Sequence, residues 1–195
     1  KDLDNTMLSG SPPANPAFGR VHGPKVLTDL AQTVASACNV PVTISESTGT
    51  LTLVLKEGTI SGYGAVLRTL ASANPAAGLT GHTQFNEAEV DSWVEFACQE
   101  LAAHVPQNPP AVLVEGALTR LESCLQTRTF LVGDRLSLAD LCVGAAVTRL
   151  VLAKAASSKG SNTTRWLSTI SAATDSGKCS SAGGVGGSAA AGAAA

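Results

Sequence analysis

From Lys25 onward the apolar residues fall into alternating rhythms. Leu27, Leu30, Ala31, Val34 and Cys38 recur at spacings of three and four, which predicts a helix with one buried face. Asn39 stands where a left-handed C-terminal cap belongs. Val40 to Ile44 then reads as a strand, Ser45 to Gly49 as a polar turn, and Leu51 to Leu55 as a second strand. After the turn at Glu57-Gly58, Thr59-Ile60-Ser61 can pair back as a short third strand. Tyr63 to Ala71 returns to helical spacing, with Val66, Leu67 and Leu70 apolar. Residues 1–24 hold Pro12, Pro13, Pro16 and Pro24 and read as an irregular lead-in.

Asn74-Pro75 opens a connector over 74–84, and the pattern beyond it, 85–175, is helical. Asn86 with Glu89 fits a capping box, and Phe85 with Val90 fits the staple around it. Val90, Trp93, Phe96, Ala97 and Leu101 form the expected buried stripe. Pro106, Pro109 and Pro110 break the chain before a helix carrying Val114, Ala117, Leu118, Leu121 and Leu125. The segment Phe130 to Leu141 is the most informative. Ser137 is placed to accept from the Asp140 amide while the Asp140 carboxylate reaches back to the Ser137 amide, a reciprocal cap. Leu136 and Leu141 would staple that turn from outside. The helix that follows is apolar nearly all round and should be the centre of a bundle. Asn162 is expected to cap a last helix through Thr169, with Trp166, Leu167 and Ile170 turned inward. Residues 176–195 are mostly Gly, Ala and Ser and read as a linker or tail.

With 195 residues the chain has room for one globular unit or two small lobes. The formal net charge of −2 argues against a broad electrostatic grip on nucleic acid and leaves room for a local basic patch. Five cysteines occur without a CxxC pair, which fits a reducing, cytoplasmic setting. The longest apolar run, Leu138 to Leu152, contains Asp140 and Arg149 and falls short of the roughly 20 residues a membrane span needs. His22, His82 and His104 lack metal-ligand spacing with one another or with the cysteines, so no metal site is expected. Ser137 beside Asp140 reads as a cap, not as a nucleophile with its acid. Trp93 and Trp166 sit on apolar helix faces and read as core. The fold class is therefore α+β and mainly α: a reduced thioredoxin-like lobe lacking a clear first strand, then an all-helical bundle.

The stretch Phe130-Leu131-Val132-Gly133-Asp134-Arg135-Leu136-Ser137-Leu138-Ala139-Asp140-Leu141 resembles the capping signature of the glutathione-transferase C-terminal domain. A narrower resemblance runs from Leu51-Thr52-Leu53-Val54-Leu55 through Gly62-Tyr63-Gly64-Ala65-Val66-Leu67-Arg68-Thr69-Leu70-Ala71, Phe85 to Phe96, Thr129 to Gly133, and Asn162-Thr163-Thr164-Arg165-Trp166-Leu167. These segments are similar to the N-terminal glutathione-transferase-like domains of eukaryotic glutamyl-tRNA synthetases, over about residues 25–172. Related domains occur in other synthetases, synthetase scaffolds and elongation-factor subunits.

That resemblance implies a non-catalytic interaction domain, with similar domains of synthetase-complex proteins as partners. It places Arg165 at a helix-to-helix interface, with Arg149 a second candidate; neighbouring helical residues point about 100° apart, so with Trp166 in the core Arg165 is expected to face outward and to add little to stability. Arg149, Lys154, Lys159 and Arg165 form a mildly basic region, read as a solvated face or a weak tRNA contact. A glutathione transferase needs a thiolate-stabilising side chain near the first strand, a cis-proline before the third, and an acidic or amide residue with a serine at the head of the next helix. Here Leu51 stands in the proline's place and Gly62-Tyr63 in that of the pair, while the lead-in offers only Ser9 and Ser11. Neither a catalytic residue nor a bound cofactor is therefore expected. No synthetase motif occurs either, so aminoacylation would require a catalytic domain beyond residue 195. The alternatives are a divergent glutathione transferase and a free-standing scaffold or elongation-factor subunit.

Overall fold

The structure, a computed structural model, describes residues 17–101, 111–152 and 160–179. It divides into two compact units between Thr80 and Gly81.

The first unit is a four-stranded sheet with two helices. Its strands are β1 (Gly19–Gly23), β2 (Val42–Glu46), β3 (Thr52–Val54) and β4 (Thr59–Ser61), and its helices α1 (Lys25–Ala37) and α2 (Tyr63–Ser72). The sheet order is β2-β1-β3-β4. β1 runs parallel to β2 and antiparallel to β3, and β3 pairs antiparallel with β4. The sheet is thus complete in its first strand, which corrects the reading of residues 1–24 as irregular throughout. Gly19-Arg20-Val21-His22-Gly23 carries a single large apolar residue, Val21, and that residue is fully buried. In the register of the ladders Val21 lies in line with Ile44, Leu53 and Ile60. α1 and α2 pack against each other and both cover the face that this row occupies, burying Leu30, Val34, Val66, Leu67 and Leu70.

α1 closes as the sequence predicts. Asn39 adopts φ 54°, the left-handed region that asparagine tolerates better than most residues. Its N–H donates to Ser36 O at 3.1 Å and Val40 N–H to Ala35 O at 2.8 Å, the paired bonds of a Schellman ending.

The second unit contains α3 (Gln84–Phe96) running into a π-helical turn (Ala97–Leu101), then α4 (Ala111–Leu125), α5 (Leu138–Leu152) and α6 (Ser161–Cys179). α5 is the central element. It packs on α3, on the π-turn and on α6, and Leu138, Val143, Val147 and Leu150 are buried on several of its sides. Gly144 permits its approach to α6: a Cβ there would stand 3.2 Å from Ile170 Cδ1.

Three helix boundaries differ from the sequence expectation. α3 begins before Asn86, with Thr83 as N-cap accepting from the Asn86 amide at 3.1 Å. Glu89 does not close a capping box there but meets Arg128 at 2.8 Å, and Phe85 is 77% exposed instead of stapled. α6 begins at Ser161, so Asn162 lies inside the helix. α6 also continues past Thr169 to Cys179, into the first residues of the stretch read as linker.

Candidate functional site

Asp140 sits at the start of α5 and is fully buried. Its Oδ2 accepts from the Ser137 amide at 3.0 Å, the bond expected of the cap. The Ser137 hydroxyl does not accept from the Asp140 amide as expected; it donates to Asp140 Oδ2 at 2.7 Å. The other oxygen accepts from the Leu131 amide at 2.9 Å and from Trp166 Nε1 at 2.8 Å. One carboxylate thus joins the loop before α5, the first turn of α5 and the second turn of α6. Burial pushes the Asp140 carboxyl above its ordinary pKa, opposed by the bonds from Ser137, Leu131 and Trp166. All four contacts are donors, as an ionised carboxylate requires.

Glu122, on α4, was not singled out from the sequence. Its carboxylate lies at the N-terminus of α6, where exposed amides attract a negative charge. Oε1 accepts from Asn162 N at 2.9 Å and Nδ2 at 2.8 Å; Oε2 accepts from Thr163 N at 2.9 Å and Oγ1 at 2.7 Å. Desolvation pushes this carboxyl up, but the four donors outweigh it and hold it below the usual carboxylate range. The expected cap Asn162 is therefore itself capped by an acid 40 residues away. Nothing local in the sequence signals that pairing.

Arg165 is exposed, as an outward position requires, and it also makes contacts that the sequence did not signal. Its Nη2 donates to Leu125 O at 2.6 Å and to Arg128 O at 3.1 Å, so the guanidinium caps the C-terminal end of α4. A cation suits that end of a helix. Arg149 lies half-buried in the last turn of α5. Arg165→Ala is expected to lower the unfolding free energy by about 1 kcal/mol, measured by urea titration. An unchanged midpoint would show the clasp to be idle.

In the first unit, Leu51 is buried just before β3, and its carbonyl accepts from Gly62 N at 2.9 Å. Gly62 heads α2 with φ 109° and offers no side chain to a ligand. Burial pushes the Cys38 thiol up to about 11, so it stays protonated near neutral pH and packs as a small apolar group. Among the described residues no group of His, Cys, Asp and Glu is arranged to hold a metal ion, and no helix is long and apolar enough to cross a membrane. Ser9, Ser11, His104, Lys154 and Lys159 lie outside the described residues.

A thioredoxin-like sheet followed by a bundle whose central helix starts on a buried Ser137–Asp140 cap defines a chain of the glutathione-transferase fold. Residues 111–173 match the family described as glutathione S-transferase, C-terminal domain. The chain is homologous to part of the bifunctional glutamate/proline--tRNA ligase of Cricetulus griseus, with 35% identity over 107 residues, 55% of this chain and 7% of that protein. Elongation factor 1-gamma of Trypanosoma cruzi is 34% identical over 108 residues, 49% of this chain and 26% of that protein. The chain therefore spans only a small part of these relatives' length. Among solved structures, a ternary complex of BphK, a bacterial glutathione transferase, superposes with a TM-score of 0.70 at 15% identity, covering 83% of this chain and 98% of that one.

Proposed function

We propose that this chain is a non-catalytic docking domain of a cytoplasmic translation protein. A glutamyl-tRNA synthetase is the parent that the relatives favour. The observation that carries the reading is the homology to a tRNA ligase and to an elongation-factor subunit, two translation proteins that share this stretch. The partners are glutathione-transferase-like domains on other synthetase-complex proteins. Arg149 and the exposed part of Arg165 contribute to the docking surface, and a weak tRNA contact through the same basic region is compatible with it.

The purified chain is expected to turn over neither glutathione with a generic electrophile nor ATP in pyrophosphate exchange. It is expected to co-elute with such a partner domain in gel filtration. Arg149→Glu is the cleaner surface probe, since Arg165 also clasps α4. Enzyme-dependent conjugation would replace this reading with a divergent glutathione transferase, which the fold similarity to BphK favours.

A further inference from the structure

The register of the sheet sorts its side chains into two unlike faces. One face holds Val21, Ile44, Leu53 and Ile60 and is covered by α1 and α2. The other carries two rows running straight across all four strands. The first row is Thr43, Arg20, Val54 and Thr59; the second is Ser45, His22, Thr52 and Ser61. None of these side chains is buried. Val54 is 39% exposed although it lies mid-sheet, and Phe18, the residue just before β1, is 38% exposed.

The chemistry of this face is one-sided. Of its eight positions five are hydroxyls, two are basic or titratable, one is valine and none is a carboxylate. The chain as a whole has more Asp and Glu (15) than Lys and Arg (13), whereas none of the eight positions of this face is acidic. Val54 alone makes no groove for an amphipathic helix. An extended peptide would seek the free backbone of the edge strands β2 and β4, not the middle of the face. The surface instead suits a flat-lying polyanion. Arginine, serine and threonine are standard phosphate and sugar contacts, and arginine and aromatic planes stack on unpaired bases.

We propose that this open face, centred on Phe18, Arg20 and His22, binds single-stranded RNA. Strands spaced by about 4.8 Å and rows by about 6.7 Å give a platform only a few nucleotides long. Binding should therefore be modest and salt-sensitive. The inference goes beyond the docking role and does not rest on it.

The test is fluorescence anisotropy of the full chain with a labelled 12-nucleotide mixed-sequence RNA, at low and raised salt. The expected result is saturable binding that weakens with salt. Arg20→Glu and Phe18→Ala should each reduce affinity about fivefold or more, and Thr59→Lys should increase it, with thermal melts unchanged. Absence of binding overturns the proposal, as does equal binding by the parent and all three variants. Equal affinity for the same sequence as a duplex, or for a poly-glutamate peptide of matched charge, also overturns it.

Discussion

Asp140→Ala is expected to destabilise the chain by about 3–5 kcal/mol, far more than the loss of an ordinary surface cap, about 0.5–2 kcal/mol. The carboxylate accepts from Leu131, Ser137 and Trp166, and alanine would leave four donor groups with no acceptor in a buried site. Asp140→Asn keeps the shape but turns one oxygen into a donor facing donors, so it should cost about 1–3 kcal/mol. Trp166→Phe removes one donor and keeps the ring, and should cost less than either aspartate change. Denaturant titration followed by tryptophan fluorescence in the first two variants gives the order. If Asp140→Ala unfolds at the parent's midpoint, the carboxylate does not hold the helical unit together. The pH dependence has a definite sign. Because burial raises the folded-state pKa, the folded chain takes up this proton at higher pH than the unfolded chain. The cost of keeping the group ionised is thus relieved as pH falls through that raised value.

Gly160→Ala is expected to be the next most damaging change, at about 1–3 kcal/mol. A Cβ on Gly160 would collide with the Glu122 carboxylate, which must shift and so weaken its contacts to Asn162 and Thr163 at the N-terminus of α6. Glu122→Gln should reproduce part of the loss without any steric conflict, and combining the two should add little to Gly160→Ala alone. Full additivity would show that the glycine acts through something other than Glu122. Here the linkage runs opposite to that of Asp140. The folded-state pKa of Glu122 is lowered, so its contribution is present above the ordinary carboxylate pKa and is lost as pH falls through the folded value.

How far the sequence could be read depended on the range of the interactions. β2, β3, β4 and α2 were legible because alternation, turn residues and helical spacing are local signals. So was the Schellman ending at Asn39, and so was the Ser137–Asp140 cap in outline. β1 was not legible, because Gly19 and Gly23 flank a strand with one core residue, and the pairing with β2 and β3 decides its state. Thr83 and Asn86 are both good cap residues three apart. Thr83 takes the cap, and Glu89 pairs with Arg128 instead of closing a box at Asn86. Trp166 was legible as core from its helical spacing, but its bond to Asp140 was not. Arg165 was legible as outward-facing, but its bonds to the carbonyls at the end of α4 were not, because helical geometry alone says nothing of another helix's end. The open face of the sheet became visible only once the register had aligned Arg20 with Thr43 and Val54.

The contacts that fasten α6 reach far back along the chain. Glu122 to Thr163 spans 41 residues, Arg165 to Leu125 spans 40, and Trp166 to Asp140 spans 26. Separate helices would fray separately, but these bonds tie the end of α4 and the starts of α5 and α6 into one opening event. Amides in the middle of α4, α5 and α6 should therefore exchange with solvent deuterium at a common slowest rate, and Gly160→Ala should accelerate all three helices together.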